Sequence, residues 1–139
     1  MPEHRIRLRA AWDCVDRLPP EGGPEDLGRV DLPKTFPEGF PPRFRLTRQF
    51  GRPPVDERAE RVDLELRSVP GLVSVRLNGR VIGRPDESGA SADWSIPLDP
   101  PLLPRNGLVL EVELTTEGRA NVPGWGEIAL VIRPRDRPA

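Results

Sequence analysis

The chain has 139 residues, enough for one hydrophobic core and too few for two that fold separately. Its 21 Lys and Arg against 22 Asp and Glu leave a formal charge of −1, so no overall field draws it toward nucleic acid or a membrane surface. A single Cys excludes a disulfide framework, and with a single His it excludes the usual zinc sets.

No apolar run approaches the ~20 residues that span a bilayer. The opening MPEHRIRLRAAW carries charges where a signal peptide carries its apolar stretch. These features predict a soluble, cytoplasmic protein forming one domain over 1–139. The 13 Gly and 19 Pro, 32 of 139 residues, predict many turns.

In chain order, the first signal is Ile6, Leu8, Ala10 and Trp12 alternating with Arg5, Arg7 and Arg9. A period of two marks a half-buried strand. The Pro-rich stretch 17–42 holds no helix interior at 17–24 or 33–42. It is expected to lie along a sheet and cover its edge, or to present that edge to a partner. Phe44 to Phe50 reads as a strand, and 51–54 as a connection. Asp56 to Arg61 suits one helical turn, too short to bury a face. Val62, Leu64 and Leu66 alternate with Asp63, Glu65 and Arg67.

The strongest local signal is the run from Val73 to Gly83, in which Asn78-Gly79 is the favoured pair for a type I′ hairpin turn. Trp94 to Leu98 is a further strand, and Pro97, which has no N–H, places it at an edge or a bulge. Residues 99–104 connect it to Leu108, Leu110, Val112 and Leu114, which alternate with Glu111 and Glu113 around an outlying Val109. Ile128, Leu130 and Ile132 repeat the pattern, and 133–139 reads as a frayed tail. Eight or nine strands at roughly ten-residue spacing predict an all-β antiparallel sandwich or small barrel.

From Phe44 to Leu114 the segments FRLTRQF, RVDLELRSV, VSVRLNGRVIG, DWSIPLDPPL and RNGLVLEVEL occur in an order that resembles the sugar-binding jelly-roll domain of glycoside hydrolase family 2. That domain belongs to the galactose-binding-like superfamily, and GEIALVIRP resembles its closing strand. The resemblance implies a jelly-roll sandwich and hints at carbohydrate. In that family the module precedes a second sandwich and a (β/α)₈ barrel with two catalytic carboxylates, and this chain ends before either. The resemblance therefore implies no hydrolysis.

The residues themselves assign no catalytic group. His4 and Cys14 are the only pair for nucleophilic catalysis, and they read as a solvated imidazole and a small buried thiol. The acids Asp63, Glu65, Glu111 and Glu113 fall on the wet faces of strands, where solvation explains them. No cofactor is expected, and a structural calcium is the one metal considered, with Asp13, Asp16, Asp86 and Glu87 as loop acids. Arg5, Arg7 and Arg9, and again Arg43, Arg45 and Arg48, line strand faces. With so few aromatics and balanced charge, they predict cross-strand ion pairs rather than a nucleic-acid surface.

Trp12 continues the inward-facing set Ile6, Leu8 and Ala10 and reads as core, and the resemblance implies the same for Trp94, which matches the aromatic of the family's strand. Trp125 lies in the polar segment 116–126 between two strands, where sandwiches carry ligand loops. It has two readings. In one its indole stacks on a sugar ring, with Arg119 and Asn121 hydrogen-bonding hydroxyls. In the other it folds back to cap the open end. The leading expectation is a non-catalytic carbohydrate-binding module with Trp125, Arg119 and Asn121 at its site. The alternative is a structural or protein-interaction module on the same scaffold.

Overall fold

The computed structural model describes residues 3–16, 25–36, 40, 42–56, 58–83, 93–98, 102–114 and 124–134. Among them are ten strands and no helix. In chain order they are β1 (His4–Arg7), β2 (Trp12–Asp16), β3 (Glu25–Val30), β4 (Arg43–Gly51), β5 (Glu60–Arg67), β6 (Leu72–Leu77), β7 (Arg80–Gly83), β8 (Trp94–Pro97), β9 (Arg105–Glu113) and β10 (Glu127–Pro134). They form two antiparallel sheets, of order β1-β10-β5-β8 and β3-β2-β4-β9-β6-β7. The molecule is an all-β antiparallel sandwich, the first of the two architectures that the alternation predicts.

Every second residue of the long strands points into the space between the sheets. Val62, Leu64 and Leu66 of β5 and Ile128, Leu130 and Ile132 of β10 meet Phe44, Leu46 and Phe50 of β4 and Leu108, Leu110 and Val112 of β9 in one buried cluster. Sequestering such side chains stabilises a fold by ~1.5–3 kcal/mol each. Trp12 is fully buried in this layer and Trp94 packs partly buried against it.

Three elements differ from the sequence pattern. The run Ile6 to Trp12 is two strands. β1 joins the four-stranded sheet and β2 the six-stranded sheet, with 8–11 crossing between layers. Leu8 and Trp12 both point inward, but Ala10 between them, expected inward, is exposed in the crossing segment. β3 was hidden in the Pro-rich stretch and covers the outer side of β2, ending the six-stranded sheet. β10 continues to Pro134, so Arg133 is strand rather than tail.

The turn signals hold. Asn78 and Gly79 have φ of 54° and 81°, as a type I′ turn requires, and Leu77 pairs with Arg80 across them. Buried Asn106 locks the hairpin to β9: its side-chain oxygen accepts from Asn78 Nδ2 and from the Leu103 N–H, both at 3.0 Å, while its amide donates to the Leu103 carbonyl. Pro97 sits on β8, which among the described residues is an edge strand paired with β5 alone. The turn at 56–60 closes with the Glu60 N–H donating to the Asp56 carbonyl at 2.7 Å.

Candidate functional site

The strand register fixes which end of the sandwich is available to long connections. Asp16 at the end of β2 lies opposite Phe44, Arg43 at the start of β4 lies opposite Glu113, and Val112 lies opposite Leu72 at the start of β6. Gly83, where β7 stops, faces Val75. Asp16, Gly83 and Leu114 therefore lie toward one end of the six-stranded sheet.

Trp125 forms the floor of that end. Its ring is 1% exposed, at 5.8 Å from the Phe36 centroid and 6.3 Å from Phe44, with Phe40 continuing the cluster. The indole N–H donates to the Pro70 carbonyl at 2.8 Å, so its polar edge is satisfied internally. The backbone of Trp125 exchanges hydrogen bonds of 2.8 and 2.9 Å with Lys34, and the Gly124 N–H donates to Thr35 Oγ1. The strap around 32–36 and the turn before β6 thus seat the tryptophan. Gly71 in that turn has φ +81°, and a Cβ there would fall 2.2 Å from the Glu113 carbonyl oxygen.

An indole enclosed in this way presents no face for sugar stacking, so the geometry matches the capping reading of Trp125. Arg119 and Asn121, the hydrogen-bonding members of the candidate site, lie outside the described residues. So do Asp86 and Glu87 of the calcium set. Asp13 is exposed and paired with Arg29 at 3.3 Å, whereas Asp16 is buried. Among the described residues no three His, Cys, Asp or Glu gather as a metal site.

His4 and Cys14 belong to different sheets, His4 opposite Ile132 and Cys14 opposite Leu46. Burial, reinforced by Asp16 and Asp26, pushes the Cys14 thiol up to about 12. A thiol of that acidity is almost wholly protonated at neutral pH and is a poor nucleophile.

The outer face of the four-stranded sheet holds what the sequence pattern missed. Asp63 and Glu65 of β5 are only 3% and 5% exposed, covered by arginines rather than solvated. Arg133 of β10 donates to Asp63 at 2.6 Å and also to Glu65, and Arg5 of β1 donates to Glu65 at 2.8 Å. Arg61 and Arg67 close on the same carboxylates at 3.5 and 3.2 Å. Burial alone would raise the Glu65 carboxyl, but hydrogen bonds from Arg5 and Arg133 outweigh it and hold it below the usual carboxylate range. That is the opposite of the raised pKa that keeps a proton-donating glycosidase carboxyl protonated. A hint was present in the sequence, since Arg61 and Arg67 flank Asp63 and Glu65 at strand period.

The opposite face carries simpler pairs. Arg43 and Arg45 lie directly across from Glu113 and Glu111, at 3.1 and 2.7 Å. These are the cross-strand pairs the arginine rows predict.

No protein-family model and no curated protein sequence matches the chain. Solved structures do. An FMN-binding β-glucuronidase from Facaelibacterium prausnitzii L2-6 superposes with a TM-score of 0.68 at 20% identity over 95% of this chain and 23% of that one. The β-glucuronidase of Ruminococcus gnavus gives 0.65 at 16% identity, over 96% of this chain and 29% of its own. A GH2 β-galacturonidase from Eisenbergiella tayi, solved with galacturonate, gives 0.60 at 16% identity, over 94% and 24%. The chain spans less than a third of each of these enzymes. It has the sandwich fold of a domain-sized part of them.

Proposed function

We propose that this chain is a non-catalytic carbohydrate-binding module, with its ligand taken at the end of the sandwich floored by Trp125. The observation that carries this reading is the superposition of nearly the whole chain on a domain-sized part of enzymes that act on uronic acid sugars. On this reading Trp125 is support. Its anchoring to Pro70 and Lys34 fixes where segment 115–123 rejoins the fold, and Arg119 and Asn121 in that segment supply the polar contacts. The arginine is suited to a sugar carboxylate, which it engages with paired donors.

Calorimetric titration with glucuronate, galacturonate and neutral sugars tests it. The reading predicts millimolar or tighter binding that Arg119→Ala and Asn121→Ala abolish while the fold is unchanged. Absence of binding by every sugar at millimolar concentration contradicts it.

A second reading, a structural or protein-interaction module, is favoured by the enclosure of the Trp125 ring. Among the described residues the one large apolar side chain well exposed is Leu103, at 52%, so no aromatic platform is displayed there. A partner recovered at fixed stoichiometry, with no sugar bound, supports this second reading.

A further inference from the structure

β1 is attached to the sandwich differently from the strands around it. None of its four residues is buried, whereas β10, its one strand partner among the described residues, carries five consecutive buried residues from Ile128 to Ile132. Beyond its short backbone ladder, β1 is held by the half-buried Ile6 against the core and by charge. Arg5 reaches Glu65 at 2.8 Å, Arg7 reaches Glu127 at 3.8 Å, and Glu3 beside the strand reaches Arg133 at 3.0 Å. The Arg7 and Glu3 pairs are reached by solvent and screened by salt, whereas Arg5 meets a carboxylate that is almost wholly enclosed.

The attachment changes character at Leu8. That side chain is buried, its N–H donates to the Ile128 carbonyl at 2.9 Å, and its carbonyl accepts the Trp12 indole N–H at 2.9 Å. Leu8 is therefore a fixed point from which 3–7 can peel away. The edge so uncovered is specific. Along β10 it offers Leu130 opposite Ile6, Val131 opposite Arg5 and Ala129 opposite Arg7, with Glu65, Glu127 and Arg133 set for the charges. An extended strand reading Glu-x-Arg-Ile-Arg satisfies all of it, and that strand is residues 3–7 of this same chain.

We infer that β1 is a releasable strand, and that the β10 edge beneath it is a strand-addition site for residues 3–7 of a second copy. This exchange does not depend on sugar binding. It predicts a concentration-dependent dimer in which each copy donates its first strand.

The experiment uses the full chain and a fluorescent peptide of residues 3–9. Arg5→Glu in the full chain sets like charges at Glu65 and loosens the resident strand. The peptide should bind this variant about tenfold more tightly than wild type. The same peptide carrying Arg5→Glu should not bind, and amide exchange at 4–7 should quicken in 0.5 M salt, as expected of a screened attachment. Arg7→Glu, placed against Glu127, repeats the comparison at the more exposed pair if the first variant does not fold. The inference is overturned if the peptide binds neither variant, if residues 4–7 exchange only as slowly as β10, or if the chain sediments as a monomer at every concentration.

Discussion

At the scale of single residues, the structure separates polar groups that solvent would satisfy from those that only their partners satisfy. Asn106 is of the second kind. It is buried and holds the Leu103 N–H, the Leu103 carbonyl and the Asn78 side chain together. Asn106→Ala strands the Leu103 N–H and carbonyl away from their partner. It should cost about 1 kcal/mol in urea unfolding, the usual net worth of hydrogen bonds whose remaining partners water can reach. Glu65 is another such group. Its folded carboxyl lies below the ordinary value of 4.5, so its contribution to stability is complete above that pH. The contribution falls away as pH drops from 4.5 through the lower folded value. Urea midpoints measured in steps below pH 5 should therefore fall less steeply for Glu65→Gln than for wild type.

At the scale of elements, what decides a strand's attachment is how much of it enters the dry layer. β4, β5, β9 and β10 each send three or more residues inward, and their alternation stands out in the sequence. Truncating one of those, Leu110→Ala, should cost about 2–5 kcal/mol in the same unfolding assay, because a fully buried leucine leaves a cavity. Elements that enter little were hard to see. β3 offers only Leu27 and Val30 to the core, so Glu25 to Val30 looked like more of the surrounding connection. The break between β1 and β2 was invisible for a different reason, since Leu8 and Trp12 on either side of the exposed Ala10 stay in phase while the backbone changes sheet. Trp125 shows the limit for the site. The segment around it is polar enough for a loop, yet Lys34 and Pro70, distant in sequence, turn its ring inward. The burial of Asp63 and Glu65 likewise depends on Arg5 and Arg133, contributed by strands far along the chain.

At the scale of the whole molecule, two sheets of four and six strands share one apolar layer, and neither has another core to rest on. The strap that seats Trp125, the hairpin lock at Asn106 and the arginine lattice are added at the ends and on one outer face. All of them presuppose that layer. Its cooperativity is most directly measured by amide hydrogen exchange along the full chain, resolved by residue. The account predicts that the central amides of β4 and β9 in one sheet and of β5 and β10 in the other exchange slowest, with the same opening free energy and the same dependence on denaturant. Separate opening of the two sheets, with different free energies and different denaturant dependences, would contradict it.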